Sequence, residues 1–192
     1  PGDGYVANLR SADRGETIGF TFTDVAIGST GGKESALYVA SLDEAEPTAQ
    51  PVALSGDDPR VDQFAFVPGT DAIVLTGYDA TLSLIADGEQ VTLGDALGIG
   101  GIPRGSTQAI IERLSGFGRV DLATGEETPL VPTAAELGHT IRVQPITDEL
   151  TLRLLSVYEG TESASNTVYR VDAAGGATRV FDVDPADALI QT

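Results

Sequence analysis

The chain has 192 residues with no cysteine, no methionine, no tryptophan and a single histidine, His139. Without cysteine, a disulfide scaffold and a thiolate metal site are both excluded. One imidazole falls short of the two or three that a catalytic zinc uses. Cationic side chains are also scarce: eleven Lys and Arg stand against 29 Asp and Glu, for a net charge of −18. The few cations are scattered singly, so there is no basic stripe to displace counterions from a nucleic acid. The same charge disfavours an anionic membrane surface. No apolar run approaches the roughly 18 residues of a membrane-spanning helix. The N-terminus lacks the basic flank and apolar centre of a signal peptide. A chain that opens on Pro1 without methionine reads as trimmed. It is expected to be a mature exported domain or part of a longer protein.

What is present is a globular composition. Hydrophobic residues make up 41% and charged residues 21%, too apolar for a disordered chain. The length suits one domain. The acidity serves solubility by default.

The strongest signal is an internal repeat. Four segments alternate apolar and polar positions as half-buried strands do: 37–42, 82–87, 117–122 and 168–173. Turn residues follow three of them, in Asp87-Gly88, Ala123-Thr124-Gly125 and Ala174-Gly175-Gly176. After the turn comes a second apolar run, at 51–54, 90–93, 128–131 and 178–181. A second hairpin precedes the first. Phe64-Ala65-Phe66-Val67-Pro68 leads through a turn into Ala72-Ile73-Val74-Leu75, and Ile141 to Pro145 leads into Leu150-Thr151-Leu152. Pro68, Pro103 and Pro145 mark equivalent turns, because proline ends a ladder for want of an N–H. The first copy, from Tyr5 to Phe22, is degenerate. Helical periodicity is weak, with single turns expected only at 133–137 and 185–189.

The chain therefore divides into four units of four antiparallel strands, near 4–56, 57–96, 97–138 and 139–192. Repeated four-stranded units of this length predict an all-β fold, a β-propeller or propeller-like arc of about four blades in one domain. The pattern resembles TolB-like and WD-repeat-like propeller blades. Residues 62–93 carry it best, with Phe66-Val67-Pro68-Gly69-Thr70-Asp71 standing where that family has a Ser-Pro-Asp-Gly turn. A Trp-Asp dipeptide is absent, and Pro68 is followed by glycine. A β-sandwich is the alternative for so many short strands. Four blades is the low end for a ring, so self-association to complete a ring is a further expectation.

Chemistry-bearing motifs are few. His139 lies between the third and fourth units, and no Gly-x-Ser-x-Gly elbow holds a serine for it. The acidic clusters Asp57-Asp58 and Asp182, Asp184 and Asp187 are the candidate metal ligands. Calcium is the ion that such carboxylates would hold. The glycine-rich stretch 94–105 lacks the spacing of a dinucleotide loop and precedes no helix, so it reads as an inner strand that packs closely. The segments 28–33 and 159–166 read as polar loops. Phe20, Phe22, Phe64 and Phe66 read as core between units.

These features predict a non-catalytic binding or scaffold module outside the cytoplasm, with a protein or peptide partner and no nucleic acid. A propeller enzyme, or an accessory propeller domain of a hydrolase, is the alternative. A structural part of a larger ring is a third reading.

Overall fold

In the computed structural model of the chain, the described residues are 4–12, 15–24, 34–56, 60–103, 105–113, 116–130, 142–145, 151–155, 158–159, 162–163, 166–171 and 177–183. Every regular element among them is a strand. The first sheet holds β1 (Gly4–Ser11), β2 (Thr17–Asp24), β3 (Glu34–Ser41) and β4 (Gln50–Pro51). The second holds β5 (Val61–Phe66), β6 (Ile73–Gly77), β7 (Thr81–Ala86) and β8 (Glu89–Asp95). The third holds β9 (Gly98–Gly101), β10 (Gln108–Arg113), β11 (Gly116–Asp121) and β12 (Glu127–Leu130). The fourth holds β13 (Arg142–Pro145), β14 (Thr151–Leu155), β17 (Asn166–Val171) and β18 (Ala177–Val183). Between β14 and β17 a small hairpin pairs β15 (Tyr158–Glu159) with β16 (Glu162–Ser163). The 159–166 segment read as a plain loop thus carries strands of its own. All pairings are antiparallel, and each four-stranded sheet is a meander in chain order.

The turns follow from residue type. Asp87 and Gly88 both take positive φ, 53° and 78°, in the two-residue connection from β7 to β8. That geometry matches the right-handed twist of the flanking strands. Pro68 sits in the turn after β5, Pro103 in the connection after β9, and Pro145 ends β13. In each case the proline stands where no ladder donor is needed. The glycine-rich stretch is strand β9, with Gly101 at φ 142° beside a register shift against β10.

The chain forms two compact units, Pro1–Asp95 and Ala96–Thr192. In the first, register fixes the two faces of the first sheet. Gly19, Thr21 and Thr23 on β2 stand opposite Val39, Leu37 and Ser35 on β3. This face is buried, and Leu37 joins Val61, Phe64, Ile73 and Leu75 of the second sheet in one apolar cluster. Gly19 is required there. A Cβ at that position would lie 2.8 Å from Cε2 of Phe64 and 3.1 Å from Cζ of Phe66, so the missing side chain lets the rings approach the first sheet. Phe64 and Phe66 pack edge to face, 6.0 Å apart.

In the second sheet, Ile73, Val74, Leu75 and Thr76 are buried in succession along β6. In the second unit, Ala109, Ile110 and Ile111 repeat this on β10. Successive residues of a strand point to opposite faces, so both central strands are covered on both sides. That explains why they read as continuous apolar runs. Phe117, Val120 and Leu122 extend the core of the third sheet.

Candidate functional site

First strands of neighbouring sheets come together. In one unit β1 lies alongside β5, and in the other β9 lies alongside β13. Within each unit, this convergence places the first strands of two consecutive sheets side by side.

Three of these first strands carry irregularities. The register of β1 against β2 shifts between Ala7 and Arg10, and that of β5 against β6 shifts between Val61 and Gln63. β9 shifts against β10. A bulge sets an extra residue out of the ladder and re-aims its side chain. On β1 the residue is Asn8, at φ 51°, a conformation that asparagine tolerates better than most L-residues. On β5 the residue is Asp62.

The two bulges are tied together. Asn8 Nδ2 donates to the backbone carbonyl of Asp62 at 2.9 Å and to Thr21 Oγ1 at 3.3 Å. The Thr21 hydroxyl in turn donates to the carbonyl of Ala7 at 3.1 Å. Thr21 is fully buried, so its hydroxyl needs these partners. Next to this network β1 holds large apolar side chains in solvent: Tyr5 is 47% exposed and Leu9 is 61% exposed.

A second cross-sheet link lies farther along. Gln90 on β8 accepts from the backbone N–H of Ser55 at 2.8 Å and donates to the buried Ser83 hydroxyl on β7 at 3.2 Å. The segment that leaves the first sheet is thereby stitched to the second.

Several other charged groups hold local structure. Asp121 ends β11, and its carboxylate accepts from the backbone N–H groups of Ala123 and Thr124 and from the Thr124 hydroxyl. These bonds hold its carboxyl below the usual carboxylate range, led by the Thr124 backbone N–H and then that of Ala123. Asp79 does similar work, accepting from the backbone and hydroxyl of Thr81. Arg113 and Glu127 form a fork, with Nε donating to Oε1 at 2.8 Å and Nη2 against Oε2. The Glu127 side chain crosses over Gly118, where a Cβ would collide with it. Arg60 lies over the Tyr78 ring, 5.1 Å from its centroid.

The candidate metal ligands are only partly placed. Asp182 lies on β18 opposite Thr167, while its side chain, Asp184 and Asp187 lie outside the described residues. Asp57, Asp58, His139 and the 28–33 segment also lie outside them, as do both expected helical turns. Among the described residues no three His, Cys, Asp or Glu side chains cluster to hold a metal ion, and no helix is long and apolar enough to cross a membrane. Sequence reading passed over Asn8, Asp62 and Gln90. The available signal was the placement of Asn8 among the apolar residues of a strand, where asparagine marks a break in the ladder.

No protein-family model matches the chain, and no curated protein matches it.

Proposed function

We propose that the four meanders are blades of a β-propeller or propeller-like arc, and that the chain is a non-catalytic binding or scaffold module. It acts outside the cytoplasm and takes a protein or peptide on the surface of its first strands. The observation that carries this reading is the convergence of first strands within each unit, β1 on β5 in one and β9 on β13 in the other, as neighbouring propeller blades would bring them together. Central strands buried on both faces suit stacked blades as well. The resemblance to TolB-like and WD-repeat-like blades agrees with it. Fold alone does not choose a ligand. What favours a peptide or protein is that β1 presents Tyr5 and Leu9 to solvent beside a polar network that fixes the backbone. Exposed apolar side chains on a rigid strand are suited to recognition of extended chains. The acidity favours a partner with basic residues, and the absence of cysteine is permissive for export.

The test is selection of a displayed random-peptide library against the intact chain, followed by measurement of the enriched peptides on Leu9→Asp and Tyr5→Ala variants. Enriched peptides should bind the wild-type chain and lose at least about tenfold in affinity on each variant. Equal binding to all three proteins would remove the first strands as the contact surface.

A further inference from the structure

Each four-stranded sheet ends on an outer strand whose far edge pairs with no other described strand. Such an edge is a template for a further strand unless the sequence guards it. Two of the four outer strands carry proline, Pro51 on β4 and Pro129 on β12. A third, β18, carries Arg179 and is interrupted by a register shift at Val180. β8 has neither proline nor a cation, and it is regular from Glu89 to Thr92, up to the register shift at Leu93.

The geometry of that stretch follows from its turn. The Asp87-Gly88 connection closes on Ala86 and Glu89. Hydrogen-bonded and non-hydrogen-bonded pairs alternate along the ladder from that closing pair, so Gln90 and Thr92 turn their backbone N–H and C=O away from β7. Among the described residues no backbone hydrogen bond from outside the hairpin reaches them, and Ser55 meets Gln90 through its side chain. Val91 and Thr92 point to opposite faces, yet both are exposed, Val91 at 53%. Solvent therefore reaches this edge from both faces. Its charge is of one sign. From residue 61 to residue 103 there is no Lys or Arg, while β5 to β8 and their turns hold six carboxylates: Asp62, Asp71, Asp79, Asp87, Glu89 and Asp95. Asp87 and Glu89 stand at one end of the open edge and Asp95 at the other.

We propose that the outer edge of β8 is a second docking site, which takes an extended segment bearing Lys or Arg as a fifth strand of the second sheet. Main-chain hydrogen bonds to Gln90 and Thr92 supply the pairing, and the carboxylates select a cationic partner over an anionic one. The site lies at the opposite edge of its sheet from β5, so it is distinct from the first-strand surface and does not rest on it.

The probe is the synthetic peptide Lys-Thr-Val-Thr-Val-Thr-Lys with blocked ends, titrated onto the intact chain at low salt, with a peptide carrying Glu for Lys as control. The lysine peptide should bind at least about tenfold more tightly than the control, and added salt should weaken it. Once bound, it should slow hydrogen exchange at the Gln90 and Thr92 amides by at least about tenfold. Thr92→Pro removes an outward N–H and gives β8 the guard that β4 and β12 carry. It should lose at least about tenfold in affinity. Glu89→Lys leaves the backbone as it is and should weaken binding by at least about threefold. Circular dichroism verifies that each variant is folded. No binding of the lysine peptide at millimolar concentration overturns the inference, as does equal binding by wild type and both variants. A peptide lost on Leu9→Asp but held by Thr92→Pro and Glu89→Lys also overturns it, and leaves the first-strand surface standing. A peptide lost on Thr92→Pro and Glu89→Lys but held by Leu9→Asp places the contact at β8, whatever binds the first strands.

Discussion

Asn8 donates its side-chain amide to the backbone carbonyl of Asp62 across 54 residues of sequence, at 2.9 Å. Each residue sits in a bulge of the first strand of its sheet. The bond therefore joins two irregularities and sets the register between neighbouring sheets where they converge. Two features of Asn8 matter separately: the amide that donates, and the tolerance of φ 51°. Asn8→Ala loses both and should destabilise the chain by about 2 kcal/mol. Asn8→Gly loses only the amide and should cost about 1 kcal/mol. Urea unfolding followed by circular dichroism measures both variants. Equal losses would mean that the backbone conformation contributes nothing.

Gly19 makes the close approach of Phe64 and Phe66 possible. Gly19→Ala would press a methyl against a buried ring edge at 2.8 Å, and a ring held in a core cannot swing aside as a surface chain can. The expected loss is about 1–3 kcal/mol. Phe64→Leu alone should also destabilise, because it opens space under Leu37. Combined, the two changes should cost less than their sum, since the smaller side chain admits the methyl. A double-mutant cycle reads that coupling. Strict additivity would show that the two positions do not meet.

The second unit of the repeat was readable in sequence because its signals are local. Pro68, the Asp87-Gly88 turn and the alternation in Leu82 to Ala86 each act within a few residues, and strands β5 to β8 follow them. The apolar run of β6 was also plain, and burial on both faces is its cause. The bulges were not readable, since a register shift is a property of two strands and depends on which residue of β2 or β6 lies opposite. The contact from Asn8 to Asp62 depends on two such shifts at once. The β15–β16 hairpin escaped notice because two-residue strands such as Glu162–Ser163 carry no alternation. The first-strand surface was not legible in the sequence. Its residues, Tyr5, Leu9, Asn8 and Asp62, emerge from pairing and exposure.

Gln90 serves two partners, and its removal should strand one of them. In Gln90→Leu the Ser83 hydroxyl, with no solvent exposure, loses the amide that donates to it. The expected cost is about 1–3 kcal/mol. Adding Ser83→Ala removes the stranded hydroxyl and should recover part of that loss. Chemical denaturation of the single and double variants checks this. Failure of Ser83→Ala to recover any stability would place the contribution of Gln90 wholly at the Ser55 N–H.

Asp121 adds a pH dependence of known sign. Its carboxylate accepts backbone N–H bonds from Thr124 and Ala123, and these hold its folded-state pKa below the ordinary carboxylate value. The unfolded chain therefore binds the proton more readily than the folded chain does. The stabilisation is present above the unfolded-state pKa and is lost as pH falls through the lowered folded-state pKa. At neutral pH, Asp121→Ala should lower the melting temperature, because the turn between β11 and β12 loses its acceptor. As pH falls through that acidic window, the melting temperatures of wild type and Asp121→Ala should draw together, because protonation removes the same interaction from the wild type. Asp121→Asn keeps one acceptor oxygen without the charge, so its melting temperature should lie between the two at neutral pH. A gap between wild type and Asp121→Ala that stays constant throughout the acid range would show that the charge on Asp121 does not contribute.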